Sequence, residues 1–223
     1  MRYEPFADRA EAGKLLGAEV VRRVGKRQDL VVLALPRGGV PVGYQVARAL
    51  DAPLDVFIVR KLGVPGQEEL AMGAIASGGV RVLNDEVLRY VPVPTSTIER
   101  VAEFEARELE RRERAYRRDR PPLDVTGKTV VIVDDGLATG STMRAAVEAL
   151  QKMKPKEIVV AVPVAAPSTC AEFQSIVDEM ICLRTPEPFQ SVGLWYRDFR
   201  QTTDEEVEEL LTIRTNTTPG IPR

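Results

Sequence analysis

One stretch constrains the fold of this 223-residue chain more than any other, the run VVIVDDGLATGST from Val130 to Thr142. Its first four residues are β-branched and form the kind of run that makes a buried strand. Asp134 and Asp135 follow, and then small residues lead directly into a helical pattern. Open α/β sheets bind their ligands at the carboxyl ends of their strands. The run therefore predicts a strand–loop–helix unit with a ligand site at the two acids.

The chemistry of this loop favours a sugar phosphate. A helix start rich in small and hydroxyl residues offers unpaired N–H groups and the positive end of the helix dipole to a phosphate. Gly140 allows close approach of the backbone, whereas Asp134 and Asp135 would repel phosphate but accept hydrogen bonds from a ribose diol. For either half of the run alone, a solvated strand end with a helix cap at Thr139 or Ser141 would explain the residues better. The whole run favours the sugar phosphate, and it is not a Walker loop because no lysine follows the glycines.

The rest of the chain alternates short apolar runs with helical patterns, which is typical of βαβ units and a parallel sheet. The predicted strands are Leu30–Leu35, Leu54–Val59, Thr129–Val133, Glu157–Val162 and Glu179–Leu183. The predicted helices are Pro41–Leu50, Thr95–Arg118, Ser141–Met153 and Pro167–Ile176, with a hairpin over Ala71–Leu83. The charges of the Thr95–Arg118 helix are mostly those of a solvated face, although some of its arginines are open to a role in phosphate binding.

Composition narrows the possible functions. The chain has no histidine, which excludes Ser-His-Asp and Cys-His catalysis and histidine-bound zinc. A net charge of −2 favours no nucleic-acid or membrane partner, and no apolar run is long enough to span a membrane. We expect a cytoplasmic protein in which Cys170 and Cys182 are unpaired and structural.

The Val130–Thr142 run resembles the signature with which type I phosphoribosyltransferases bind 5-phosphoribosyl 1-pyrophosphate (PRPP). The resemblance also extends to the sparsely characterised bacterial group of predicted phosphoribosyltransferases. It implies an α/β fold with a parallel sheet, a Rossmann-like core at about 28–184 and a small C-terminal hood at about 185–212. The tail 215–223 is expected to be disordered. The implied PRPP-binding residues are Asp134, Asp135, Gly136, Ala138, Thr139, Gly140, Ser141 and Thr142.

Two further segments resemble the pyrophosphate-binding parts of this family. LALPRGGVPVG resembles the pyrophosphate loop, in which the peptide bond before the basic residue is commonly cis, here Pro36–Arg37. Arg60-Lys61 precedes a glycine-containing stretch similar to the mobile loop of the orotate-type enzymes. The resemblance implies pyrophosphate binding by Arg37, Gly38, Gly39, Arg60 and Lys61, and catalytic roles for Arg37, Lys61, Asp134 and Asp135. Without the family, the first segment is a tight turn and the second a pair of solvated cations.

The region after the last strand resembles the hood of purine-salvage enzymes. The resemblance implies base binding by Phe189, Val192, Trp195 and Asp198, although these aromatics equally fit simple packing of a C-terminal helix. One departure concerns the lysine with which 6-oxopurine enzymes recognise their base. This chain has no lysine after Lys156. That argues against ordinary hypoxanthine or guanine salvage unless another donor replaces it.

The implied activity is transfer of the phosphoribosyl group from PRPP to a nitrogenous base, with a purine-like acceptor favoured. Mg²⁺ is the implied cofactor, held mainly by PRPP oxygens and water rather than directly by the chain. PRPP and a small base are the implied partners, and a homodimer stays open. The alternative is a non-catalytic regulator that binds PRPP or a nucleotide with the same fold. A PRPP-synthesising kinase fits less well because no second nucleotide site is visible.

Overall fold

A computed structural model describes residues 4–118, 120–122 and 124–215. The strands are β1 (Leu30–Ala34), β2 (Leu54–Val56), β3 (Val59–Val64), β4 (Gln67–Ala76), β5 (Val80–Leu83), β6 (Thr129–Val133), β7 (Glu157–Val164) and β8 (Glu179–Arg184). The helices are α1 (Arg9–Val24), α2 (Gly39–Leu50), α3 (Asp85–Tyr90), α4 (Thr95–Arg117), α5 (Ser141–Lys152), α6 (Pro167–Phe173) and α7 (Asp204–Thr215). Apart from Thr215, which ends α7, the predicted disordered tail lies outside the described residues.

The predicted parallel sheet is confirmed. It has five strands in the order β2-β1-β6-β7-β8, all pairing in parallel. Both faces of β1 and β6 are buried, which is why these strands are continuously apolar rather than alternating. Side chains such as Val32 and Val131 enter the core under α1, α2 and α4, and Leu33 and Ile132 enter the core under α5 and α6.

The strand predicted at Leu54–Val59 is wrong as a single element. β2 ends at Val56, and the chain then leaves the parallel sheet to form β3. Phe57 donates its N–H to the carbonyl of Ala34 at 2.9 Å, whereas Ile58 already exchanges hydrogen bonds with Ser77. The apolar run is therefore shared between two sheets, a division that its hydrophobicity does not reveal.

The predicted hairpin is confirmed and is larger than expected. β3, β4 and β5 form a three-stranded antiparallel sheet, with the β4–β5 turn at Ser77–Gly79. The charged helix is confirmed as α4, which packs on β3. Its end is fixed by a buried ion pair, since Nε of Arg117 lies 2.8 Å from Oδ2 of Asp55 on β2.

The N-terminal residues pair with the segment predicted as the hood, a contact that the sequence does not predict. Phe6 donates its N–H to the Trp195 carbonyl at 2.8 Å, and Arg197 donates to the Phe6 carbonyl at 2.8 Å. Helix α1 begins two residues after Ala7, with Asp8 as its N-cap. The first turn of α1 is consequently held beside the carboxyl ends of the central strands. None of the helices among the described residues is both long and apolar enough to cross a membrane.

Candidate functional site

The loop after β6 is held rigidly by its neighbours. Leu137 donates its N–H to the Val164 carbonyl at 2.9 Å, and the Thr169 hydroxyl donates to the Ala138 carbonyl at 2.6 Å. Gly140 caps α5 with φ of 71°, and a Cβ there would lie 2.7 Å from the Phe173 ring. Only glycine fits both that conformation and that space. The first N–H groups of α5 therefore meet a fixed, exposed loop at Ala138 and Thr139.

The two acids stand at the end of β6, at the carboxyl edge of the sheet. Burial raises the pKa of Asp134 well above its usual range, and the neighbouring carboxylate of Asp135 raises it further. Burial also raises the pKa of Asp135, although the guanidinium of Arg9 opposes this effect. Nε of Arg9 lies 2.8 Å from Oδ2 of Asp135. Two ionised carboxylates in this environment are unfavourable unless hydrogen-bond donors are supplied to them.

The pyrophosphate-type loop contacts these acids directly. β1 and β6 are neighbours with Ala34 opposite Val133, so the loops that follow them meet at one edge. A Cβ on Gly38 would overlap Oδ2 of Asp135, and one on Gly39 would lie 2.8 Å from the Val133 carbonyl oxygen. The glycine pair thus permits close approach of two loops that are about 100 residues apart in sequence. The expected cis bond between Pro36 and Arg37 is present.

The three cationic side chains that were predicted to bind pyrophosphate do not lie together. Arg37 borders a cavity of about 530 Å³ that also includes Gly38 and Asp135. Lys61 is exposed on β3 and borders a different cavity of about 600 Å³, together with Ser141 and Arg144 at the start of α5. Arg60 is turned toward α4, where its guanidinium lies 2.6 Å from Glu105.

The residues of the predicted hood that were expected to bind the base do not all lie in one place either. Phe189, Val192 and Trp195 pack against a small buried cluster that includes Phe6 and Tyr196. Val192 covers the acid loop, because a Cβ on Gly136 would lie 2.6 Å from its methyl group. Asp198 is exposed and borders a separate cavity of about 320 Å³. Their part in binding a base stays a prediction.

The sequence interpretation did not assign Arg9, Tyr196 or Phe199 to the site, and it left open which arginines of the charged helix reach it. Phe199 borders the Arg37 cavity, and the guanidinium of Arg9 lies 4.0 Å above its ring. The Tyr196 hydroxyl donates to the Asp135 carbonyl at 2.5 Å, and burial raises the pKa of Tyr196. α4 contributes Arg111 and Arg112 to the same cavity. No local motif marks any of them, although the aromatic content near Phe199 was a partial signal.

Both cysteines are free, as predicted. Cys182 donates its S–H to the Arg184 carbonyl at 3.1 Å. The expectation that nothing activates either thiol needs correction. Interaction with the neighbouring Cys182 thiol lowers the pKa of Cys170 to about 7.

A parallel sheet with a phosphate-type loop, two acids and a glycine-rich loop at one edge is typical of the class of α/β proteins that bind nucleotides or sugar phosphates. Residues 9–196 match the phosphoribosyl transferase domain family. The chain therefore belongs to that family.

Related proteins agree with this assignment. A Mycobacterium tuberculosis protein provisionally named a phosphoribosyl transferase is 47% identical over 206 residues, which cover 92% of this chain and 46% of that protein. The chain thus spans about half the length of this relative. The crystal structure of TT1426 from Thermus thermophilus superposes with a TM-score of 0.82 at 43% identity, and covers 93% of this chain and 97% of that one. A bifunctional protein PyrR of Chloroflexus aurantiacus is 29% identical over 140 residues, 61% of this chain and 71% of that protein.

Proposed function

We propose that the protein transfers the 5-phosphoribosyl group of PRPP to a nitrogenous ring and releases pyrophosphate. The observation that carries this proposal is the contact between Gly38 and the Asp135 carboxylate. It joins the loop suited to pyrophosphate to the acids suited to a ribose diol. PRPP carries these two groups on adjacent carbons of one sugar ring, so a single ligand would span both loops.

Each part of the site has a separate task. The 5-phosphate would bind the N–H and hydroxyl groups of Ala138–Thr142, where the α5 dipole favours an anion. The carboxylates of Asp134 and Asp135 would accept hydrogen bonds from the ribose hydroxyls. Arg37 and the N–H groups of Gly38 and Gly39 would bind the pyrophosphate and stabilise its charge as the bond to C1 breaks. Catalysis then consists of positioning and charge stabilisation, which requires no histidine.

Mg²⁺ fits this site as an ion carried by the substrate. The described residues contain no group of three acidic, histidine or cysteine side chains that could hold a metal by themselves. Mg²⁺ commonly keeps several waters and binds through substrate phosphates. When bound it would neutralise part of the pyrophosphate charge. The chain itself would orient the sugar through Asp134 and Asp135 and hold the departing anion through Arg37.

The acceptor is proposed to be a flat ring, with a purine-like base favoured. Phe199 is 36% exposed and borders the cavity that contains Asp135. A ring placed there would lie against the exposed part of Phe199, next to the ribose-binding acids and the Arg9 guanidinium that covers the Phe199 ring. The predicted contacts of Phe189, Val192, Trp195 and Asp198 belong to the same hood and remain part of this proposal.

The test is release of pyrophosphate from PRPP and Mg²⁺ across a panel of purines, pyrimidines and related heterocycles. We expect turnover with at least one acceptor. Asp135→Asn should lower kcat/KM by about 10- to 150-fold, which corresponds to about 1.5–3 kcal/mol for one charge-assisted hydrogen bond. Arg114→Ala is the control, because Arg114 is exposed on α4 and pairs with Glu110.

Two results would contradict the proposal in different ways. If PRPP binds but no acceptor gives release above buffer hydrolysis, the regulatory alternative is correct. If neither PRPP nor ribose 5-phosphate binds, the sugar-phosphate interpretation itself fails.

A further inference from the structure

One side of the cavity bordered by Arg37 is lined by positively charged side chains of α4. This helix belongs to neither of the two loops that are proposed to bind PRPP. Four arginines and two aspartates border it, and Arg111 and Arg112 of α4 are among the arginines. They face the same space as Arg37 and Gly38, whereas Lys61 borders the other cavity at the start of α5. Beyond Arg37 itself, the positive charge at this cavity therefore comes from Arg9 of α1, which is paired with Asp135, and from α4, and not from β3.

Helix α4 is held firmly in this position. Arg117 forms the buried ion pair with Asp55 and donates to the Val56 carbonyl at 2.9 Å. One residue earlier, the Tyr116 hydroxyl donates to Asp204 on α7 at 2.5 Å. These contacts anchor α4 one to two turns beyond Arg111 and Arg112. The two guanidinium groups consequently project from a fixed surface rather than from a mobile loop.

Both arginines retain donors for a ligand. Arg111 uses Nε and Nη2 to bind the Glu108 carboxylate at 2.8 and 2.9 Å, and Arg112 uses Nε at 2.8 Å. These bonds occupy two of the five N–H groups of Arg111 and one of those of Arg112. They also lower the pKa of Glu108 to about 2, so this carboxylate stays ionised and orients both groups.

On this side of the cavity, the arginines outnumber the carboxylates that pair with them. Glu108 is shared by two arginines, and Asp204 is shared by Tyr116 and by Arg37, whose Nη1 lies 3.7 Å from it. The side chains of Arg37 and Arg112 are 37% and 41% exposed. Guanidinium groups with this exposure and free donors suit a polyphosphate, because each can bind two of its oxygens.

We propose that Arg111 and Arg112 complete a pyrophosphate-binding site with Arg37 and the Gly38 loop. This inference rests on the proposed function and assigns to α4 the cationic role that the sequence interpretation gave to Arg60 and Lys61. Because the two arginines touch the departing group, they stabilise it as its charge develops.

The test is calorimetric titration with inorganic pyrophosphate in the presence of Mg²⁺, and separately with ribose 5-phosphate. Arg111→Ala and Arg112→Ala should each weaken pyrophosphate binding by about tenfold, and the double variant by about 100-fold, the size of one charge-assisted hydrogen bond per site. The affinity of these variants for ribose 5-phosphate should stay within about twofold of the wild-type value, because ribose 5-phosphate has no pyrophosphate group. Arg114→Ala controls for the general charge of α4. The double variant Arg111→Gln and Arg112→Gln removes the two charges but retains side-chain hydrogen bonds to Glu108.

The outcomes separate this inference from the proposed function. Wild-type pyrophosphate affinity in the folded double variant would overturn the α4 site, and so would an equal loss in Arg114→Ala. If Arg37→Ala still weakens pyrophosphate binding in that case, the proposed function stands without α4. Failure of the wild-type protein to bind either probe would instead remove the proposed function.

Discussion

Replacing Gly38 by alanine tests whether the two loops act as one site. Gly38 has φ of −59°, so alanine fits its backbone and only the space around it is at issue. The added Cβ would lie 2.1 Å from Oδ2 of Asp135, whereas ordinary contacts begin near 3.4 Å. The carboxylate must therefore move by about 1 Å or more, which breaks its 2.8 Å bond with Arg9 and turns it from the diol position.

We expect Gly38→Ala to weaken ribose 5-phosphate binding by about 10- to 150-fold, equivalent to about 1.5–3 kcal/mol for one misaligned charged acceptor. Binding is measured by calorimetry, and folding by thermal unfolding. Gly25→Ala is the matched control. Its φ of 76° strains any side chain but no atom lies within 4 Å of the new Cβ, so it should cost stability without affecting the ligand. Wild-type affinity in a folded Gly38→Ala protein would refute the coupling of the two loops.

Two further predictions concern stability. Arg117→Leu should lower the free energy of unfolding by about 3–5 kcal/mol, because it removes the buried guanidinium that binds Asp55 and the Val56 carbonyl. A loss of less than about 1 kcal/mol in urea denaturation would contradict this. Asp134→Asn should weaken PRPP binding by about 10- to 150-fold, the size of one charge-assisted hydrogen bond, yet stabilise the fold at pH 7. Burial raises the pKa of Asp134 in the folded state. The wild-type protein therefore loses stability as pH rises above the unfolded-state pKa of about 3.9. The difference in stability between the variant and the wild type should shrink as pH falls toward that pKa. An advantage that is constant with pH would contradict the assigned cause.

The sequence was sufficient to predict the central sheet and the phosphate-type loop. Both depend on local patterns: β6 is apolar on both faces, and the residues from Asp134 to Ser141 carry their own turn and helix start. The cis bond at Arg37 followed from the family resemblance rather than from the residues. The sequence could not predict the end of β2, because one apolar run supplies two sheets.

The rest of the site depends on tertiary packing that no local pattern encodes. Arg9 reaches Asp135 only because the N-terminal segment pairs with the hood. On α4, glutamate and arginine alternate so densely that Arg111 and Arg112 cannot be distinguished from Arg114 by sequence. The buried ion pair of Arg117 with Asp55 fixes the rotation of the helix, and in this rotation Arg111 and Arg112 border the cavity.

The placement of the two acids after β6 is a further reason to propose a binding site at this edge. Asp134 hydrogen-bonds the N–H of Asp135 at 2.8 Å, but burial and the adjacent carboxylate both raise its pKa. An ionised Asp134 therefore reduces the stability of the unliganded fold at neutral pH. A residue that only supported the fold would not carry this cost, since asparagine could make the same contact without charge. The unfavourable placement is explained if a ligand supplies hydroxyl donors to the carboxylate, as the ribose of PRPP does.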